Sequence, residues 1–567
     1  MLTRNNLSTV LTFLFLLLCP WWITCDLPAE EAQFVDLSLM VSPEYPCTWA
    51  DGFPRFRMLP VKSIGRESAY HVDTLIIDGN TGTQIDVPPH SVARPKLNLP
   101  HSGPFGDEFT DRTPAWKFAG EACVIDIQDL IDSAPLGISP LVHKERILKW
   151  ETTNRPFRVG DVALVHSGYS DRYYRPLPAG RRFLADVLEK KQPAWPDPDP
   201  ETMDYLASRG VYHIGTDSPT MGPLPDLGEP VHYAALKYGA VFTEGATNLG
   251  QLPKTGAFYC MMGPKHRDGP YGEGRAFAIV GGSLPKELID AAKNKRAVDL
   301  TVTMSIDHPL TWPGQGVDRH RHRYTKTDFL FSDNLQLYHH GHIFDSHAGT
   351  HLVPPSYALP AEPLPKNAYA PEDRIVLEEY EKEFGARGVS DVTTEKVPLS
   401  QTCGWARVID TRRLVGSTQR GDWPASPVIT VDFVKQYEQQ HGGLMPGEIV
   451  IFQSGHTDRH FQPGLAGNGC LADPINGRSE GWPAPDAATI AYLADQGIRC
   501  VATDGPNLGG VDPQSALKTY WMLGTRNMVG VEFLTNLSSL PSRAYFLFAP
   551  VKIQGCHGGP GRAIALY

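Results

Sequence analysis

Two short segments of this 567-residue chain bring together residue types that suit a divalent cation. From His347 the sequence reads HAGTHLVPPSY, and from Asn80 it reads NTGTQIDVPPH. The first carries two imidazoles, His347 and His351, and the second a carboxylate and an imidazole, Asp86 and His90. Imidazoles and a carboxylate held close together bind a divalent metal and leave coordination positions open for water or substrate. A metal so placed lowers the pKa of bound water and polarises a carbonyl, which is the chemistry of hydrolysis.

The elements that must position these residues occur twice. VDLSLMVSPEYPCTWADG from Val35 reappears as VDLTVTMSIDHPLTWPGQG from Val298, an offset of 263 residues. YLASRGVYHIGTDSP from Tyr205 matches YLADQGIRCVATDGP from Tyr492, and GRAFAIV from Gly274 matches GRAIALY from Gly561, both at an offset of 287. Preserved order makes this a tandem duplication of one unit, with domain 1 over 33–290 and domain 2 over 296–567. The growth in offset reflects an acidic insertion near 362–400, centred on PEDRIVLEEYEKEFGAR from Pro371 to Arg387, which reads as a surface helix with solvated charges. Runs such as VDLSLMV, VIDI, DVALVHSG and RAFAIV read as strands, and AATIAYLADQG has helical spacing and stops at Gly497. Alternating strands and helices give an α/β class.

Composition narrows the partners. A hydrophobic fraction of 41% and a charged fraction of 20% describe ordinary globular protein, with 50 Pro and 53 Gly pointing to many turns. A net charge of −11 without a basic stripe argues against nucleic acid and for a small molecule. The apolar run Val10–Cys19 behind Arg4 reads as a secretory signal occupying 1–25, so the mature chain is expected to be secreted or to reside in the secretory lumen. No later stretch is apolar for long enough to span a membrane. Beyond the signal, Cys47, Cys123, Cys260, Cys403, Cys470, Cys500 and Cys556 show neither a CxxC pair nor zinc-finger spacing, and their odd number requires at least one free thiol.

Taken together, NTGTQIDVPPH and HAGTHLVPPSY resemble the signature H-x-G-T-H-x-D-x-P-x-H of the metal-dependent cyclases, a family that includes kynurenine formamidases and isatin hydrolases. The resemblance extends over nearly all of both copies, including EGATNL and EFLTNL downstream. It implies two tandem cyclase-like (swivelling β/β/α) domains. It also implies a metal site completed by a later His and Glu, with the signature's last His as proton carrier. By position the first copy supplies Asp86, His232 and Glu244 to the metal and His90 to catalysis, but has Asn80 and Gln84 in place of two histidines. The second supplies His347, His351 and Glu532, with Val353 for the Asp, Tyr357 for the last His and Tyr520 for His232. The implied cofactor is zinc or manganese. Family members pair as homo-oligomers, so the resemblance implies either an intrachain pseudo-dimer or a homo-oligomer.

Two functions follow. One is metal-dependent hydrolysis of a small amide, of the arylformamidase (N-formylkynurenine to kynurenine, tryptophan catabolism) or isatin hydrolase type. The other is a catalytically inactive secreted binding or scaffold protein on the same fold, suggested by the replacements at 80, 84, 353 and 357. Trp49 and Trp312, at equivalent places, are expected either to line a substrate pocket or to pack a loop. Asp217 and Asp504 read as buried turn-forming carboxylates, and Asp318–Tyr324 (DRHRHRY) as a solvated loop. The sequon at Asn536 is expected to stay unmodified because it lies inside the TNL block.

Overall fold

The computed structural model describes residues 31–49, 55–312, 324–330 and 338–567. The expected signal at 1–25 and most of the DRHRHRY run lie outside the described residues. The chain is mixed α/β, built on two large sheets, one in each half.

In the first half nine strands run in the order Gln33–Asp36, Arg275–Val280, Ala257–Met262, Ala119–Asp126, Asp161–His166, His213–Thr216, Val241–Glu244, Gln84–Asp86 and Tyr271–Glu273. The four from Ala119–Asp126 to Val241–Glu244 are mutually parallel. They read as continuous apolar runs because a parallel sheet is covered on both faces. Helices Lys144–Thr153, Pro200–Ser208 and Gly228–Leu236 bury Ile147, Met203, Leu206 and Val231 against one of those faces. The second half repeats the plan with eight strands. Cys403–Asp410, Ile449–Gln453, Cys500–Thr503 and Val529–Glu532 are parallel, and Gly559–Leu566 closes the sheet onto Tyr545–Pro550. The expected helix at Ala487–Asp495 is capped by the Asp486 carboxylate, which accepts from Thr489 N, and is followed by Gly497 at φ +84°.

The halves are packed into one body. A four-stranded sheet crosses between them in the order Thr325–Leu330, Tyr338–Asp345, Val72–Asp78 and Arg57–Lys62. At its centre Ile76 pairs with Ile343, equivalent residues of the two copies, so a pseudo-twofold axis passes between them. One apolar core contains Phe258, Phe277 and Ile279 from the first half and Leu547, Ile564 and Leu566 from the second. The insertion is helical over Pro371–Phe384; its charges face solvent, while Val376, Leu377 and Tyr380 are buried. All seven described cysteines are buried and free. Among the described residues no helix is long and apolar enough to cross a membrane.

Candidate metal centre

Local sequence explains how the first copy's residues meet. Gln84 and Asp86 lie two apart on a three-residue strand and therefore share a face. Pro88 and Pro89 end that strand and fix a single 3-10 turn, Pro88–His90, which returns His90 over Asp86. The glycine of the motif is required by its backbone: Gly82 has φ +70° and its counterpart Gly349 φ +63°. His232 arrives on helix Gly228–Leu236 and Glu244 on strand Val241–Glu244, beside Gln84.

Asp86, His90 and His232 each offer a ligand atom, all within 4.8 Å of one another. His232 Nε2 is 3.4 Å from Asp86 Oδ2 and 3.2 Å from Glu244 Oε1, and His90 Nε2 is 3.9 Å from Asp86 Oδ2. Asp86 is fully buried and neither of its oxygens accepts a hydrogen bond. Burial and the nearby Glu244 carboxylate push Asp86 up to about 7. Burial opposes charge on His232 as well, but Asp86 and Glu244 on either side raise it well above its ordinary value. The Gly228 carbonyl, 2.7 Å from His232 Nδ1, orients the ring so that Nε2 faces the carboxylates.

Glu244 is more engaged. It accepts from Met221 N at 2.6 Å, Thr220 Oγ1 at 3.1 Å and Gln84 Nε2 at 2.6 Å. The Gln84 amide also donates to Asn80 Oδ1 at 2.9 Å. The two residues that replace histidines thus form a hydrogen-bonded bridge that ends on Glu244. A buried carboxylate that accepts no hydrogen bond, beside two imidazoles, is a donor set that fits a divalent cation, since such a group is costly unless a cation compensates it.

The second copy has the same backbone frame and different contents. His351 Nε2 is 3.1 Å from Glu532 Oε2, and Leu508 N donates to Glu532 Oε1 just as Met221 does to Glu244. Tyr520 Oη donates to Glu532 Oε1 at 2.5 Å, standing where His232 stands in the first copy. Tyr357 packs on His347 with ring centroids 4.5 Å apart and on Tyr520 at 5.1 Å. Tyr70 of the first copy stacks on Tyr357 at 4.7 Å. Aromatic rings therefore crowd this frame, and His347, His351 and Glu532 do not converge as tightly as the first copy's three.

The remaining candidates pack in symmetric fashion. Trp49 meets the buried Trp195 edge-on at 6.5 Å, and Trp312 meets the buried Trp482 at 6.1 Å. Asp217 accepts from Ser167 N, Ser167 Oγ and Gly168 N, and Asp504 from the equivalent Ser454 and Gly455 atoms, so each carboxylate ties adjacent strand ends together. The amide of Asn536 donates to Asp299 O at 2.9 Å. Sequence reasoning missed a second buried group, His266, Glu273 and His342, drawn from both copies. His266 and Glu273 lie seven residues apart, but His342 comes from the other copy, so no motif spacing links the three.

Comparison with known proteins agrees with the repeat. A sequence model described as "Putative cyclase" matches residues 35–223 and 298–509. An isatin hydrolase of Roseibium aggregatum is 32% identical over 175 residues, 29% of this chain and 64% of that protein. A kynurenine formamidase of Salinibacter ruber is 27% identical over 185 residues, 32% of this chain and 66% of that protein. The chain thus covers less than two thirds of either relative. Among solved structures, isatin hydrolase A from Labrenzia aggregata bound to benzyl benzoate is 24% identical, with a TM-score of 0.37 over 44% of this chain and 94% of that one. Isatin hydrolase A from Ralstonia solanacearum is 22% identical, with a TM-score of 0.37 over 51% and 98%.

Proposed function

The chain belongs to the cyclase family, and we propose that its first half hydrolyses a C–N amide bond in a small aromatic substrate of the isatin or N-formylkynurenine type, with a divalent ion, zinc or manganese, held at Asp86. The observation that carries this reading is the Asp86 carboxylate, fully buried between His90 and His232 with neither oxygen accepting a hydrogen bond. Asp86 and His232 hold the ion, with Glu244 adjoining. Once bound, the ion supplies a polarised carbonyl and an acidified water.

The side chains do the rest. The Gly228 carbonyl holds His232 with Nε2 inward. Glu244, anchored by Met221 N and Thr220, keeps His232 and Gln84 aligned. His90 carries the proton at Nε2, 3.9 Å from the Asp86 carboxylate, and passes it to the leaving amine nitrogen. Both imidazoles are only 7% exposed, so little bulk water competes at the reacting atoms. The second half serves as a support whose own frame is crowded by Tyr357 and Tyr520. The apolar run Val10–Cys19 supports a secretory route for the chain.

The test is elemental analysis of purified protein together with turnover of isatin and of N-formylkynurenine in added zinc or manganese. Asp86→Ala is expected to lose one ion per chain and all turnover. His90→Ala is expected to keep that ion and lower kcat by about 10²–10⁴-fold. Wild-type protein with no Asp86-dependent ion and no turnover would instead make the first half a binding module.

A further inference from the structure

We propose a second divalent cation site, formed by His266 and Glu273 of the first copy and His342 of the second, that pins the two halves together. All three are essentially inaccessible, at 0%, 0% and 1% exposure. Their ligand atoms lie within 4.8 Å of one another. His266 Nε2 is 3.1 Å from Glu273 Oε1, and the two imidazoles stack almost parallel, with centroids 3.9 Å apart at 9°. His342 Nε2 and Glu273 Oε2 are both buried without a hydrogen-bond partner. Asp78, paired opposite Gly341 next to His342, adds another such atom in its Oδ2.

The surroundings orient the group for an ion. Tyr324 Oη is 3.2 Å from His266 Nδ1 and 2.9 Å from His342 Nδ1, so one phenol oxygen addresses the same nitrogen on both rings. With an ion on the two Nε2 atoms, each ring carries its proton on Nδ1 and the phenol accepts both N–H bonds. Such outer partners commonly set the tautomer of metal-binding histidines. Two imidazoles and one carboxylate suit zinc and similar first-row divalent ions.

The pseudo-twofold axis supplies a control within the molecule. The matched blocks make Ile553 the equivalent of His266 and Pro560 that of Glu273, and the pairing about Ile76 and Ile343 makes Leu75 the equivalent of His342. Equivalent bridges confirm the register: Val41 meets Ile553 where Met304 meets His266. On that side Leu75, Ile553 and Phe56 are buried in one apolar cluster. The fold therefore packs this place with hydrocarbon when nothing is to be bound. Buried unpartnered polar atoms are costly, and three polar replacements at one of two equivalent places call for a compensating ligand.

This inference is independent of the hydrolase reading and its test separates the two. Full-length protein is loaded with zinc, dialysed, and its zinc counted in wild type, Asp86→Ala and His342→Leu, the last copying the residue at the equivalent place. His342→Leu is expected to carry one zinc per chain fewer than wild type, and Asp86→Ala to retain that ion, with X-ray absorption showing two imidazoles around it. Should His342→Leu fail to fold, Glu273→Gln, similar in shape, is expected to lose the same ion. An unchanged zinc count in these variants, or no zinc left in Asp86→Ala protein, would overturn the proposal.

Discussion

Single substitutions decide how differently the two equivalent frames behave. Where His232 meets Glu244 in the first half, Tyr520 meets Glu532 in the second, and the change from imidazole to phenol replaces an imidazole–carboxylate ion pair with a neutral donor bond. Tyr520 is 4% exposed and Glu532 2%, so the bond is made away from water. Tyr520→Phe would leave Glu532 Oε1 with the Leu508 amide alone, and a buried acceptor that loses a donor costs about 1–3 kcal/mol. A urea midpoint lowered by that amount is the expected result; an unchanged midpoint would mean that the bond contributes nothing. Much of this frame was legible from residue types, because the motif fixes Gln84, Asp86 and His90 on one strand and turn. The bridge from Gln84 to Asn80 and Glu244 was not, since it depends on which amide atom faces which carboxylate.

At the scale of elements, the acidic insertion shows how charge can mask packing. Its composition reads as a solvated helix, and helix Pro371–Phe384 does expose most of its carboxylates. Yet Val376, Leu377 and Tyr380 form a buried stripe, and Tyr380 is 0% exposed with its ring edge-on to Trp521 at 5.6 Å. Trp521 belongs to helix Pro513–Thr525, which also carries Tyr520, so the insertion braces the helix that fills the second frame. Truncating a buried aromatic leaves a cavity and costs about 3–5 kcal/mol. Tyr380→Ala is therefore expected to lower stability by about 3 kcal/mol and to speed hydrogen exchange along Pro513–Thr525. Exchange confined to the insertion itself would show that it packs without bracing. Strands such as Asp161–His166 were readable from their apolar runs, whereas the cross-half sheet was not. Its strands Val72–Asp78 and Tyr338–Asp345 gain their meaning only from pairing with each other.

For the whole molecule, duplication predicts likeness between halves, but contacts between them are set by residues far apart in sequence. The pseudo-twofold axis is expressed in a reciprocal pair of ion clusters. Asp36 pairs with Arg275 of its own half at 2.9 Å and with Lys552 of the other at 2.7 Å. Asp299 pairs with Arg562 at 2.7 Å and with Lys265 of the other half at 3.0 Å. Burial alone would raise Asp299, but Arg562 and Lys265 outweigh it and bring its carboxyl down to about 2; Asp36 is lowered by Arg275 and Lys552 in the same way. A carboxyl depressed on folding adds stability that is complete above its unfolded value of about 3.9 and disappears as pH falls through the folded one. The stability of the joined halves should therefore decline between about pH 4 and pH 2, with Asp299 accounting for about 2 kcal/mol of the loss. Asp299→Asn should be less stable than wild type by about that amount at pH 5 and nearly equal to it at pH 2. Urea unfolding at the two pH values measures this directly, and a difference that persisted at pH 2 would mean that Asp299 acts through packing rather than through the charge it shares with the opposite half.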